Sequence, residues 1–252
     1  MKKTLSIIGI LVLAIVGLIV IINSTNSDDG ISPDYIIEPS EQTGNIPEKI
    51  IGNPDTAELI IYEYADYGCS HCADWNWKMN ELVEKYDGKL AVVFRGYNLG
   101  FQNGLGAAHA ATAAQIQGYF KEYKDLLFAN QSEWIYAEKK NANDLFVEYF
   151  KEASNNAGDI KKFKEDTNSS DVKKRLDFEQ KMGKKVNLQG TPLFRINGES
   201  VPVSDLAETI EELIPWYNLT MGVGIIIIIV VMLIIASAFV VSFLRDVLRK
   251  KK

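Results

Sequence analysis

L-I-I-Y-E-Y-A-D-Y-G-C-S-H-C-A-D-W-N-W-K-M, running from Leu59 to Met79, decides the fold. Its first six residues form a short, nearly continuous apolar run, the pattern of a strand covered on both faces. The period then changes. Trp75, Met79, Leu82, Val83 and Tyr86 recur at spacings of 4, 3, 1 and 3, which places them on one face of a helix. Tyr86-Asp-Gly88 ends that helix, and L-A-V-V-F-R-G-Y (Leu90–Tyr97) reads as a second strand. Strand, helix and strand make a βαβ unit, with both cysteines of the chain at its first strand-to-helix junction.

Those cysteines fall in Cys69-Ser70-His71-Cys72. A helix start carries unpaired N–H groups and the positive end of the helix dipole, so a sulfur placed there is stabilised as thiolate, the species that attacks disulfides. His71 between the two is able to add positive charge. Cys72, one turn on, is placed to resolve a mixed disulfide on Cys69. Two other readings compete. A structural zinc site wants four ligands, and the chain adds only His71 and His109 to its cysteines. His109 sits in an alanine-rich helix, where it reads as a packed or half-exposed residue. A purely structural disulfide closing so small a loop would restrict little unfolded-chain entropy. A redox pair that exchanges with partners is the better use, with no metal.

Downstream, Ile116, Tyr119, Phe120, Tyr123, Leu126 and Leu127 form one helical stripe. Leu145, Phe146, Tyr149 and Phe150 form another, and Val172, Leu176 and Phe178 indicate a third helix. G-T-P-L-F-R-I-N-G-E-S-V-P-V (Gly190–Val203) reads as two strands about an Asn197-Gly198 turn. Ser204 is positioned to cap a last helix carrying Leu206, Ile210 and Leu213. Upstream, residues 23–57 hold four of the seven prolines (Pro33, Pro39, Pro47, Pro54) and little periodicity, and read as a flexible linker.

The two ends set the expected address. Leu5–Ile22 and Met221–Leu244 contain no charge, and a helix of about 20 apolar residues spans a bilayer core. Residues 1–22 are expected to be an uncleaved signal anchor, because the apolar run exceeds the usual cleavable length and ends without small residues; a cleaved signal peptide is the alternative. Residues 220–244 are expected to form a C-terminal transmembrane helix, with Trp216 and Tyr217 in the headgroup zone and 245–252 as a basic cytoplasmic tail. Both termini then lie inside the cell and the middle outside. Of 33 acids and 27 bases in the chain, the ends hold one acid and seven bases, so the middle is strongly acidic. That balance argues against a nucleic-acid partner, which needs clustered Lys and Arg.

In these residues the chain resembles the thioredoxin superfamily, and within it the DsbA-like branch. The resemblance rests on C-S-H-C opening the first helix and on G-T-P-L-F-R-I-N-G, which is similar to the family's cis-proline strand and hairpin. It also rests on the 90 residues (98–187) between the second strand and that motif, which resemble the branch's helical insertion. It implies an α/β thioredoxin-like fold with a helical insertion over residues 58–217, flanked by the two transmembrane helices. It further implies Pro192 as the cis-proline, Thr191 as the residue offering backbone groups to substrate and touching the reactive sulfur, and Glu63, six residues before Cys69, as a buried proton acceptor for Cys72. A glutamate pointing to solvent from a strand edge is the other reading of Glu63. The Ser-His dipeptide departs from the Pro-His and Gly-Pro seen elsewhere in the family, and that dipeptide tunes the potential. The implied activity is an extracytoplasmic, membrane-anchored thiol–disulfide oxidoreductase without cofactor. It would donate disulfides to reduced secreted proteins and be reoxidised by a quinone-linked membrane partner. A disulfide reductase or isomerase, for example in cytochrome c maturation, and a thioredoxin-like binding module with little turnover are the alternatives.

Overall fold

The computed structural model describes residues 33–214. The expected anchor (1–22), the first ten residues of the expected linker, the expected membrane helix (220–244) and the basic tail (245–252) lie outside the described residues. Among the described residues no helix is long and apolar enough to cross a membrane.

The βαβ unit is present. Strands β2 (Leu59–Ala65) and β3 (Leu90–Gly96) pair in parallel, Leu59 opposite Leu90 through Ala65 opposite Gly96. Every residue of β3 is buried and all of β2 except Ile60, which accounts for their unbroken apolar sequence. Between them runs α1 (Ser70–Lys85), burying Cys72, Asn76 and Met79 at helical spacing. It ends where Asp87 and Gly88 take positive φ. Strands β4 (Leu193–Ile196) and β5 (Glu199–Val201) form the expected hairpin about Asn197 (φ 50°) and Gly198 (φ 88°). β4 pairs antiparallel with β2, and with β1 (Lys49–Ile51) at the far edge the sheet order is β1-β3-β2-β4-β5.

Six helices separate β3 from β4: α2 (Gly104–Ile116), α3 (Phe120–Ala129), α4 (Gln131–Trp134), α5 (Lys139–Ala153), α6 (Ile160–Thr167) and α7 (Ser170–Lys185). The stripe from Ile116 to Leu127 is two helices, because Gly118 turns the chain at φ 83° between them. Six alanines of α2 are buried, and their small side chains let neighbouring helices close around it. Phe150 and Phe163 stack at 4.1 Å beside Tyr123. The last helix among the described residues, α8 (Leu206–Leu213), starts after Asp205, and the Ser204 hydroxyl donates to the Asp205 carboxylate at 2.6 Å instead of capping the helix.

The linker expectation needs correction over residues 34–57. This stretch is part of the domain: Glu41–Thr43 forms a 3-10 turn, and β1 (Lys49–Ile51) adds antiparallel to the free edge of β3. Thr43, Ile46, Glu48, Lys49 and Ile51 are buried. A strand of three residues with a charged Lys49 shows no apolar period. Its charges are matched far away in sequence, Lys49 by Glu179 and Glu48 by Arg95 and Arg175.

Candidate active site

Cys69 ends the loop after β2 and is the last non-helical residue before α1, with extended backbone (φ −83°, ψ 121°). Its N–H donates to the Asp66 carbonyl at 3.0 Å and its carbonyl accepts from Ala73 N–H at 3.2 Å. The first N–H groups of α1 therefore have no helical partner and point to the sulfur, as a helix start dictates. Cys69 is 8% exposed and Cys72 fully buried, both as free thiols, while Ser70 and His71 between them are exposed. Cys69 alone of the two keeps any exposure to solvent.

The two thiols have opposite acidities. Cys69 is pulled down to about 5, first by the hydrogen bond from Cys72, against the opposing effect of burial, and then by Thr191 and the backbone N–H groups of Cys72 and His71. Cys72 is pushed far up, by its hydrogen bond to Cys69 and by burial. Cys69 is thus the thiolate and Cys72 holds the proton. In the reduced protein, absorbance of the thiolate near 240 nm should titrate with a midpoint near 5, and a midpoint near 8.5 would contradict this geometry. The sign for stability follows: the folded thiol ionises below its unfolded value near 9. Cys69 therefore stabilises the reduced fold fully above about pH 9, and the contribution fades as pH falls to about 5.

The hairpin motif completes the site from 122 residues away. The Thr191–Pro192 peptide bond is cis, and the Thr191 carbonyl lies 3.4 Å from the Cys69 sulfur. Glu63 is 1% exposed on the central strand β2, opposite Phe94 and Phe194, which removes the solvent-edge reading. Burial raises its carboxyl to about 7, with Lys124 acting against the rise. It makes no hydrogen bond to the Cys72 sulfur, so any proton passing between them needs an intermediary. His109 is half-buried on α2, its Nδ1 2.9 Å from the Thr167 carbonyl, and takes no part in the site. Among the described residues no group of three His, Cys, Asp or Glu side chains is able to hold a metal ion.

Three supports are absent from any motif. Lys124 on α3 is 1% exposed; its ammonium bonds the Asn76 side chain and lies 3.3 Å from Asp125, itself bonded by Asn76 at 3.0 Å. This links the underside of α1 to the helical insertion and supplies the charge felt by Glu63. Asp66 accepts from the N–H groups of Gly68 and Leu99 and fixes the loop that carries Cys69. Gln131 at the start of α4 donates to the carbonyls of Tyr67 at 2.7 Å and Cys69 at 3.1 Å. Lys124 reads in sequence as one more solvated lysine in F-K-E-Y-K-D, and no local pattern marks Gln131.

Comparison with known proteins agrees with this geometry. A family model described as thioredoxin matches residues 45–215. A probable disulfide bond formation protein D of Bacillus cereus is 29% identical over 153 residues, covering 57% of this chain and 68% of that protein. The oxidised crystal structure of BdbD from Bacillus subtilis superimposes with a TM-score of 0.57 at 19% identity, over 71% of this chain and 96% of that one. The thiol–disulfide exchange protein alpha-DsbA2 of Wolbachia pipientis gives 0.54 at 20% identity, over 69% and 90%.

Proposed function

The chain belongs to the thioredoxin family and is a thiol–disulfide oxidoreductase of DsbA-like build, and from that premise we propose that it donates disulfides to reduced proteins outside the cytoplasm through a Cys69–Cys72 redox pair. The observation that carries this reading is the opposed acidity of the two thiols. Stabilising the Cys69 thiolate stabilises the reduced pair, which makes the disulfide a stronger oxidant.

In the oxidised protein a substrate thiolate attacks the Cys69 sulfur. The Cys69–Cys72 bond breaks, a mixed disulfide forms, and Cys72 leaves as a thiolate that takes up a proton. A second substrate thiolate then attacks the substrate sulfur of the mixed disulfide and expels Cys69 as a stable thiolate. The substrate loses two electrons and gains a disulfide; the enzyme is left as a dithiol. The Thr191 carbonyl lies beside the Cys69 sulfur, and the cis Thr191–Pro192 segment offers its backbone to an extended substrate. His71, exposed beside Cys69, presents its imidazole where substrate docks, and Glu63 acts on Cys72 at one remove. A membrane partner that passes two electrons to quinone returns the pair to the disulfide.

The membrane placement is part of the same proposal. Residues 1–22 and 220–244 anchor the domain, with 245–252 on the cytoplasmic side, and the support is their charge-free length and the basic residues beside them. The reduction potential tests the direction of electron flow. In the soluble piece from Asn23 to Tyr217, equilibration with glutathione should give a value toward ~−120 mV, as for a strong oxidase. A value near ~−270 mV would make the protein a reductase.

A further inference from the structure

A cleft of about 830 Å³ lies in the helical insertion, enclosed by α2, α5, the end of α6 and the start of α7. Phe146 and Phe163 are among its lining and belong to the buried core. Lys139, Lys164 and Lys173 also line it, against a single carboxylate, Asp144. The chain as a whole is net −6, so a lining with three lysines to one acid runs against the rest of the surface. Among the described residues Lys139 and Lys164 enter no ion pair, and Lys173 is held only by an exposed pair with Asp177, which a ligand carboxylate is able to replace. A concave wall of low dielectric strengthens the field of such lysines.

The chain segment that packs on the candidate active-site loop runs directly into the cleft lining. Gly68, immediately before Cys69, lies so close to Phe101 that a Cβ on it would stand 2.5 Å from the Phe101 Cβ. The next residues, Gln102 and Asn103, line the cleft, and their side chains bond the carbonyl of Ala137. Leu99 (45% exposed), Leu105 (47%) and Tyr136 (73%) stand out of this junction. Exposed apolar side chains thus lie in the segments between the contact with the Cys69 loop and the lysine-lined cleft.

We propose that this cleft is a second binding site, taking an acidic segment of the polypeptide whose cysteine is engaged at Cys69. The proposal rests on the reading of Cys69 as the exchanging thiol and names a substrate class for it: reduced chains with apolar residues near the cysteine and Asp or Glu beyond them. The lysines select the charge, and the apolar lining selects a segment with large side chains over a free inorganic anion. A basic segment is repelled by the same three lysines.

Binding is measured apart from chemistry, with the full chain and two labelled peptides that contain no cysteine. One carries Asp and Glu among Leu and Phe, and the other replaces each acid by Lys. The acidic peptide should bind at least ten-fold more tightly, with an affinity that falls as salt is raised. Charge reversal (K139E, K164E and K173E together) should abolish that preference, and the milder Lys→Gln set should weaken acidic-peptide binding several-fold. Equal binding of the two peptides, or an unchanged preference in both variant sets, overturns the proposal. So does lysine-dependent binding of phosphatidylglycerol vesicles in place of the acidic peptide, which would make the cleft a lipid site. Loss of exchange in Cys69→Ser is scored separately: if exchange survives there, the reading of Cys69 fails, whatever the peptides do.

Discussion

Replacing Cys69 with Ser lowers thiol–disulfide exchange by at least about 1000-fold, because a serine hydroxyl is not ionised at neutral pH and forms no disulfide. Replacing Cys72 has a different result. Cys69 remains a thiolate and still attacks a disulfide, but no neighbouring thiol resolves the product. The Cys72→Ser protein should accumulate as a mixed disulfide with glutathione, visible as a mass increase that dithiothreitol reverses. Cys72→Ala separates a further effect: the hydrogen bond from Cys72 is the largest cause of the low Cys69 acidity, so removing the donor raises the thiol titration above 5, while serine retains it in part. Oxidation of a reduced peptide, followed by mass spectrometry, checks the first variant. Exchange at the parental rate in Cys69→Ser would show that Cys69 is not the exchanging thiol.

What the sequence made legible and what it hid divide along a physical line. Strands β2 and β3 are buried on both faces, so their unbroken apolar runs announced them, and α1 shows its buried face at ordinary helical spacing. The Asn197-Gly198 turn was readable because few residues accept positive φ. The junction of β2 and α1 fixed where Cys69 and Cys72 would stand. The segment before β2 was misread for the converse reason. Its prolines are real, but Glu48 and Lys49 are buried charges, and a buried charge looks solvent-exposed in sequence when its partner lies some 130 positions on. Lys124 gave no signal in the sequence for the same reason. The Glu63–Lys124 relation joins a strand to a helix of the insertion, and only the folded chain brings them within electrostatic reach. Gln131 is a polar side chain whose partners are backbone carbonyls, which carry no residue identity to recognise.

Those buried charges also carry the largest expected loss of stability. Glu179 on α7 sits between the Lys49 ammonium and the Arg175 guanidinium, the latter at 2.9 Å, and its second oxygen accepts from Gly96 N–H at 2.8 Å. Arg175 also reaches Glu48, which in turn holds Arg95 at 2.8 Å, and all five side chains are fully buried. One cluster therefore fastens β1, the edge of β3 and the insertion together. Burial alone would raise the Glu179 carboxyl, but Lys49 and Arg175 outweigh it and hold it below the usual range. Glu179→Ala removes the anion and leaves two buried cations facing each other, which costs about 3–5 kcal/mol. Urea unfolding of the soluble piece from Asn23 to Tyr217 measures this, and a loss below about 1 kcal/mol would mean water reaches the cluster and screens it. The pH dependence has a fixed sign. A carboxyl with a depressed folded pKa stabilises above its unfolded value of about 4.5, and that stability is lost as pH falls through the lower folded value. In Glu179→Ala this component of acid destabilisation should be absent. Glu179 is not among the groups that set the acidity of Cys69, so a destabilised but folded Glu179→Ala protein should retain a Cys69 titration near 5. A variant that lost both together would show that the insertion holds the redox pair in place through this cluster as well as through Gln131.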